Sequence, residues 1–391
     1  MQKIFNLGCK LNQYEGFCLL EKFGGVPDLV IVNTCCVTKE AEIKSLKKFR
    51  YALKKYPGAK IIATGCACRI HPEKFSGAFR VIDHIQREEL IQGIYPEPDR
   101  GRFFLKIEDG CNEECTYCIV AKIRNRIKSK RYEDIKREIQ WAVDRGYKEI
   151  VLVGANIGLY GKEVGDSLIG LLRFLSGLEH LPRIRLSSLE PKFIDKELIS
   201  VLKSLPFCRH FHIPLQSADD EILSRMKRGY DVKYLGTVID LITTNFDDVA
   251  VGADIIVGFP GEDDGRFDNT RRFIEENPFT HLHVFPYSPR PGTEAYGLGD
   301  PVVHKVKKER LWVLKNLIRQ KNHIFRKRLL NRIFSIITEE KNGSVSGITD
   351  NYIRVKIAEK CGGNRLLNVK ITEVTSDGTY GEVVSDSDIG G

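Results

Sequence analysis

Apolar and polar residues follow two rhythms over the first 95 positions. The runs "KIFNL", "DLVIVN" and "AKIIAT" are short, apolar and β-rich. "NQYEGFCLLEKF" and "VTKEAEIKSLKKFRYALKKY" instead space their apolar residues at helical intervals. "VIDH" and "REELIQGI" add one short strand and one helix. This alternation predicts a small parallel sheet with helices on its faces. "YPEPDRG" (95–101) gathers Pro and turn residues and reads as a linker. The β–α rhythm resumes over 102–300, with strand candidates "RFFLKI", "EIVLVG", "RIRLSS", "HFHIPL", "VAVGADIIVG" and "HLHVFPYS". Six β/α units predict a barrel, full or partial. Residues 303–330 read as one long basic helix, with Trp312, Leu314, Leu317, Ile318 and Phe325 on its packed face. From 329 onward, short strands separated by Gly and Asn turns predict a small all-β module. The expected organisation is an α/β chain of three domains: 1–97, 98–328 and 329–391.

Composition refines this picture. Hydrophobic and charged contents of 42% and 29% are ordinary for a globular protein. No apolar run is long enough to cross a bilayer, and the N-terminal stretch lacks a signal peptide's apolar core and cleavage site, so a cytoplasmic protein without a membrane partner is expected. The 11 cysteines cannot all pair within the chain. In a reducing compartment, clustered cysteines favour metal binding or catalysis. Net charge is +9, with +5 in residues 1–100, +6 in 101–328 and −2 in 329–391. The basic first two regions suit a polyanionic partner such as RNA. "AKIRNRIKSKRY" (121–132) suits phosphate contacts, while the terminal module would need a local basic face made of Arg354, Lys356, Arg365 and Lys370.

The densest chemical signal is "EDGCNEECTYCIV", which spaces Cys111, Cys115 and Cys118 just after a predicted strand. Three neighbouring thiolates can wrap one compact inorganic cluster. A closed cluster takes four, so a triple leaves one iron open for another ligand. Zinc is the rival, but its closed sites use paired Cys knuckles and four ligands, and no second knuckle or nearby His completes that pattern. A second triple is dispersed in sequence. "FNLGC", "IVNTC" and "IATGC" each end an apolar strand with one small residue (Gly8, Thr34 or Gly65), then Cys9, Cys35 or Cys66. Parallel strands share one C-terminal edge, so these three side chains are expected to converge there. Cys36 and Cys68 are expected to be small buried neighbours.

The Cys-x3-Cys-x-aromatic-Cys spacing, with Tyr117 as the aromatic residue, resembles the radical S-adenosylmethionine superfamily. Two three-cysteine sites and a terminal β-module resemble its methylthiotransferase family. The resemblance runs through "GCKLNQYE", "NTCCVTKEA", "TGC", "GCNEECTYC", "VGANIGLYG", "RLSSLEP", "HIPLQSADDEILSRMKRGY", "DIIVGFPGE" and "FPYSPRPGT". It implies a partial (β/α)6 barrel between an N-terminal α/β domain and an RNA-binding TRAM module. It implies two 4Fe–4S clusters, one on Cys9, Cys35 and Cys66 and one on Cys111, Cys115 and Cys118. S-adenosylmethionine would serve as methyl donor and radical source, near Tyr117, Gly154, Glu190, Gln216 and Gly258. "LGCKLNQYE" and "RLSSLEP" look most like the branch acting on N6-threonylcarbamoyladenosine at position 37 of tRNA. The implied partners are a tRNA anticodon stem-loop, an electron donor such as a flavodoxin or ferredoxin, and a sulfur source. Three alternatives stay open: the branch modifying isopentenyladenosine, the branch modifying an aspartate of a ribosomal protein, and an RNA-binding protein with structural metal sites. Ala121 and Asn125 stand where the family usually has Pro and Gly, and Asn125 is expected to preserve the turn through its tolerance of left-handed backbone.

Overall fold

A computed structural model describes residues 1–97 and 101–384; the middle of the predicted linker (98–100) and the end of the terminal module (385–391) lie outside the described residues. The first region is built from β1 (Gln2–Asn6), α1 (Lys10–Lys22), β2 (Leu29–Thr34), α2 (Lys39–Lys55), β3 (Lys60–Gly65), α3 (Cys66–Ile70), β4 (Arg80–Ile82) and α4 (His84–Leu90). All four strands are parallel, in the order β1-β2-β3-β4. Helix α2 starts where Thr38 Oγ1 accepts the Ala41 N–H (3.1 Å) and ends on Lys54 and Lys55, matching the helix dipole. Helix α4 begins earlier than its apolar pattern suggests, because Asp83 caps it through the Gln86 N–H (2.9 Å). Strand β2 is buried throughout. One side of the sheet packs Val30, Val32 and Ala63 against Phe49 and Phe75. The other side, with Tyr14, Cys18 and Leu19 of α1, packs against Phe104, Val151 and Val153 of the central region.

The central region runs β5 (Phe103–Lys106), β6 (Glu108–Asp109), α5 (Val120–Ile123), β7 (Lys128–Ser129), α6 (Tyr132–Asp144), β8 (Glu149–Val153), α7 (Leu168–Ser176) and β9 (Arg183–Leu186). It continues with α8 (Lys196–Lys203), β10 (His210–Gln216), α9 (Asp220–Arg225), α10 (Val232–Asn245), β11 (Ala250–Val257), α11 (Asp264–Glu276) and β12 (Phe279–Pro286). All six predicted strands form. They make two parallel sheets, β5-β8-β9 and β10-β11-β12, joined by an Ile184–Phe207 bridge, so the barrel is partial. Asp195, Asp219, Asp231 and Asp263 cap α8 to α11, each accepting a backbone N–H three residues on.

Helix α12 (His304–Lys327) buries Leu314, Ile318 and Phe325 against this barrel and the last module. Trp312 was expected on the same face but is 66% exposed. Two residues before Leu314, it is rotated about 200° around the helix axis, onto the far side. The chain ends in a closed barrel of β13 (Ile333–Lys341), β14 (Ser344–Thr349), β15 (Arg354–Ile357), β16 (Leu366–Val374) and β17 (Thr379–Val383), antiparallel except for β15 beside β17. Arg183 and Arg185 of β9 fasten it from beneath by donating to the Ser335, Ile348, Thr349 and Asp350 carbonyls while pairing with buried Glu149. Arg354, Lys356, Arg365 and Lys370 are all exposed on it, with Arg354 paired to Glu339 (2.9 Å). Among the described residues, no helix is long and apolar enough to cross a membrane.

Candidate active site

The parallel register decides where the dispersed cysteines go. Asn6 pairs with Asn33, and Thr34 with Gly65, so Cys35 and Cys66 leave adjacent strands at the same level. The Leu7 N–H donates to the Asn33 carbonyl (2.9 Å), carrying β1 to the same edge before the chain turns at Gly8. Gly8 and Gly65 adopt φ of +97° and +99°. A Cβ on Gly8 would lie 3.2 Å from Cys35 Sγ, which brings the Cys9 turn directly onto Cys35. A Cβ on Gly65 would lie 2.3 Å from the Thr34 carbonyl oxygen. Ser45 holds Cys35 by accepting its N–H (2.9 Å) and donating to its carbonyl (3.0 Å). Cys36 and Cys68 are buried, and Thr34 Oγ1 donates to Cys68 Sγ (3.6 Å).

The contiguous triple hangs from a third such turn. Gly110 has φ +101°, and a Cβ there would sit 2.0 Å from the Arg126 carbonyl oxygen. Asn125 is not in the left-handed region; the glycine across the turn takes that conformation instead. The Cys111 N–H donates to the Arg124 carbonyl (2.8 Å), and the Cys118 N–H to that of Cys115 (3.0 Å). Thr116 ties the loop to Arg225 and Met226 at the end of α9. Cys115 Sγ accepts from Arg228 (3.0 Å), and Asn156 Nδ2 lies 4.0 Å from Cys111 Sγ.

The remaining expected residues sit at strand ends around this loop. Glu190 pairs with Arg228 (2.7 Å), which also reaches the Tyr117 hydroxyl (3.2 Å). Gln216 closes β10 with φ +70°, and Gly258 follows β11 with φ +74°. The Gly258 N–H donates to Glu262 (2.6 Å), and the Lys307 stem packs against it. Gly154 follows β8; its missing side chain makes room for Glu108, whose carboxyl accepts the Asn156 N–H and is pushed up to about 9 by burial. Arg228 is the residue missed by sequence reading. It appeared as one more base in "MKRGY", and its burial beside Cys115 follows from the helix–loop packing.

The two triples are joined. Ile119 and Ile123, just after Cys118, pack in one apolar cluster with Cys36, Cys66 and Cys68. Behind them lies a buried ionic network. Glu15 pairs with Arg87, Lys106 (2.9 Å) and Arg124 (2.6 Å), and Asp109 pairs with Lys106 (2.6 Å) and Arg124 (2.5 Å). Burial pushes the Glu15 carboxyl up, but Arg124, Arg87 and Lys106 outweigh it and hold it well below the usual range. Arg124 therefore leaves the set of expected phosphate contacts, because its charge is spent inside. Lys128 pairs with Glu88 (2.6 Å) and Arg131 with Asp134 (2.9 Å), so the exposed run is partly neutralised too.

Beneath the triples, the barrel interior is unusually polar. His210 and His212 of β10, Asp254 of β11, and His281 and His283 of β12 share it; Gly252 leaves the space that the His281 ring fills. His210 and His281 bring their Nε2 atoms to 3.1 Å, and Asp254 takes hydrogen bonds from His212 (2.9 Å) and His283 (3.2 Å). The nitrogens of His210, His212 and His281 lie within 4.8 Å of one another, a spacing that a cation can bridge. Burial and the neighbouring rings push His281 down to about 3, so it is neutral at ordinary pH. Lys10, next to Cys9, is half-buried; desolvation, with the positive charges of Arg102 and Arg185, pushes its ammonium down to about 8.

All six triad cysteines are free thiols. Burial pushes Cys35 and Cys111 up to about 12, so they are protonated until a metal displaces the proton. Three free thiols on rigid turns fit a 4Fe–4S cluster with one open iron. The Radical SAM superfamily matches residues 105–274, and Uncharacterized protein family UPF0004 matches residues 2–86. The solved structure of TsrM from Kitasatospora setae, a radical S-adenosylmethionine methyltransferase with cobalamin and a 4Fe–4S cluster bound, shares the fold. Its TM-score is 0.54 at 14% identity, over 73% of this chain and 68% of that one. Fold and site thus define the radical S-adenosylmethionine class, whose members use a 4Fe–4S cluster and S-adenosylmethionine. Among curated proteins, threonylcarbamoyladenosine tRNA methylthiotransferase MtaB of Thermotoga maritima is 34% identical over 96% of this chain and 95% of its own length. The Bacillus subtilis protein of the same name is also 34% identical, over 97% and 96%. The chain belongs to the methylthiotransferase family of radical S-adenosylmethionine enzymes.

Proposed function

We propose that this enzyme is a tRNA methylthiotransferase that adds a methylthio group to the C2 carbon of N6-threonylcarbamoyladenosine at position 37. One observation carries the reading: the two three-thiol sites come from different parts of the fold and adjoin, with Cys66 in the same buried apolar cluster as Ile119 and Ile123, which follow Cys118. A single substrate atom can then be addressed from both. The names and near-complete coverage of the curated relatives support the choice of substrate.

When bound, the two clusters and S-adenosylmethionine supply the radical and the methylthio group that an unactivated aromatic C–H bond requires. Cys111, Cys115 and Cys118 hold the radical-generating cluster. Cys9, Cys35 and Cys66 hold the auxiliary one. Tyr117, Gly154, Glu190, Gln216 and Gly258 line the cofactor space at the strand ends, where barrels of this kind place chemistry. Arg228 fixes Cys115, Tyr117 and Glu190 relative to one another. The anticodon stem-loop binds across the face that carries both triads. A flavodoxin or ferredoxin supplies electrons, a separate donor supplies sulfur, and the reaction takes place in the cytoplasm.

Mass spectrometry of tRNA nucleosides and of ribosomal proteins, with and without the gene, tests this reading. The expected result is loss of 2-methylthio-N6-threonylcarbamoyladenosine alone. Loss of a methylthio group from isopentenyladenosine or from a ribosomal aspartate would replace the substrate. Stoichiometric zinc in place of iron and sulfide after anaerobic reconstitution would remove the enzyme reading altogether.

A further inference from the structure

The histidines inside the barrel owe their grouping to strand register. His212 stands level with Gly252, and Gly252 with His281, so these three share one row across β10, β11 and β12. Asp254 and His283 are level with each other one row further on, and His210 lies one row before, level with Ala250. Alternate residues of a strand point to one face, so all five polar side chains project the same way. Only a glycine fits between them: a Cβ on Gly252 would lie 1.9 Å from His281 Nε2. His210 and His281 approach over it from the flanking strands, with their Nε2 atoms 3.1 Å apart.

Hydrogen bonds decide which ring nitrogens carry lone pairs. The Thr280 hydroxyl donates its one proton to the Val251 carbonyl (3.2 Å), so in its 2.9 Å contact with His281 the ring Nδ1 is the donor. His281 Nε2 therefore presents a lone pair. The Asp254 carboxylate only accepts, so His212 Nε2 donates to it (2.9 Å), and the neutral ring keeps its lone pair on Nδ1. His210 is 2% exposed, and its Nδ1 has no hydrogen-bond partner among the described residues. Histidines that ligate a metal have one ring nitrogen held by such an outer group and the other left for the ion. One nitrogen from each of His210, His212 and His281 lies within 4.8 Å of the others. Zinc–nitrogen bonds of about 2.0–2.1 Å place tetrahedral ligand nitrogens about 3.3 Å apart, close to the His210–His281 spacing. His212, Asp254 and His283 form a second group of the same kind, and the His283 side chain is 58% exposed. The two groups share His212, so donor atoms lead from solvent to the buried histidines.

We propose that His210, His212 and His281 bind one divalent cation of the zinc class inside the barrel, with Asp254 orienting His212 and supplying a compensating negative charge. Imidazole nitrogens suit zinc, and three of them leave one tetrahedral position for water. The ion ties β10 to β12 across Gly252, in a barrel whose two sheets are not closed by continuous strand pairing. Tyr352 of the terminal barrel stacks on His210, with ring centroids 4.1 Å apart, and lies 5.3 Å from His281. The same ion therefore braces the ring on which the terminal module docks. The site uses none of the six triad cysteines and does not depend on which base the enzyme modifies.

The test uses the full-length enzyme, reconstituted anaerobically with iron and sulfide, then incubated with zinc and desalted. About one zinc per chain should remain beside unchanged iron and sulfide, and zinc K-edge absorption should show only nitrogen or oxygen neighbours at about 2.0–2.1 Å. His281→Phe keeps a ring beside Gly252 and should abolish zinc retention while iron and sulfide stay in place. Asp254→Asn should weaken zinc affinity about 10- to 100-fold, the usual effect of losing a group that orients a ligand. Sulfur neighbours at about 2.3 Å, or full zinc retention by His281→Phe, would overturn the proposal. If His281→Phe does not fold, unchanged affinity in Asp254→Asn would overturn it instead. Absence of zinc beside intact clusters would overturn this proposal alone. Zinc that replaces iron and sulfide would overturn it together with the methylthiotransferase reading.

Discussion

The two thiol triads reach similar endpoints by different routes. Cys111, Cys115 and Cys118 lie within one loop, so the chain keeps them close in sequence, and contacts from Thr116 and Arg228 fix the loop. Cys9, Cys35 and Cys66 come from three strands, and only the parallel register of β1, β2 and β3 aligns them. Both use the same local device, a glycine near φ +100° just before a cysteine, at Gly8, Gly65 and Gly110. The loop triad should therefore depend on its own turn and on Arg228, whereas the sheet triad should depend on the integrity of a whole domain. The Glu15 network couples the two, because it ties α1 and α4 of the first region to the loop after Cys118.

Removing one ligand from each triad should separate the two sites most sharply. Cys115→Ala should abolish both S-adenosylmethionine cleavage and product. Cys35→Ala should keep cleavage, read as 5′-deoxyadenosine, while abolishing methylthio transfer. Methylthiolated product from Cys35→Ala would show that the two sites do not divide the work.

Glu15→Ala attacks the coupling. It leaves Arg87, Lys106 and Arg124 short of a buried partner, which should cost about 3–5 kcal/mol in chemical denaturation. It should also lower iron loading at both triads, not at one. A change confined to a single triad would mean that the network serves that side alone.

The seam on the opposite side of the barrel supplies a control. Burial opposes ionisation of Glu149, yet Arg185 and Arg183 hold its carboxyl down to about 2. Its contribution is therefore present above the unfolded value near 4.5 and is lost as pH falls toward 2, worth about 3 kcal/mol in all. Unfolding free energy measured from pH 5 to pH 2 should fall with this slope, and Glu149→Gln should flatten it. Iron loading should not follow, because this seam fastens the terminal barrel, not the triads.

The smallest effects should come from the turns. Gly65→Ala and Gly110→Ala each place a Cβ within 2.3 Å of backbone oxygen and should cost at least about 1–3 kcal/mol. Gly8→Ala meets Cys35 Cβ at 3.0 Å and should cost less than Gly65→Ala, because its closest approach is longer than the 2.3 Å contact with the Thr34 carbonyl oxygen. Iron content should drop at the auxiliary site for Gly65→Ala and at the radical site for Gly110→Ala. The reverse assignment would separate turn geometry from cluster binding.

Much of this architecture was legible in one dimension. Six barrel strands, the long helix and the terminal β-module follow from periodicities that each element must satisfy to bury one face. Cys-x3-Cys-x2-Cys is local, so its chemistry is visible in the string. The convergence of Cys9, Cys35 and Cys66 needed one further rule, that parallel strands end on one edge. Other features had no local signature. Arg124 looked like a surface base in a basic run, and only packing turned it inward against Glu15. Trp312 looked like part of a packed stripe, and helix rotation put it outside. Arg228 and the four barrel histidines had ordinary neighbours in sequence, and their roles come from side chains projecting across a barrel from strands tens of residues apart.

The amino-acid order by itself determined which elements form, where the cysteines punctuate them and what family they belong to. Those properties depend on hydrogen bonds and apolar spacing within a few residues. Tertiary packing alone settles which charges are neutralised, turning Arg124 onto Glu15 and Asp109 and gathering Arg183 and Arg185 onto Glu149. Desolvation and charge pairing depend on distances through space, and those are set by the register and docking of distant segments.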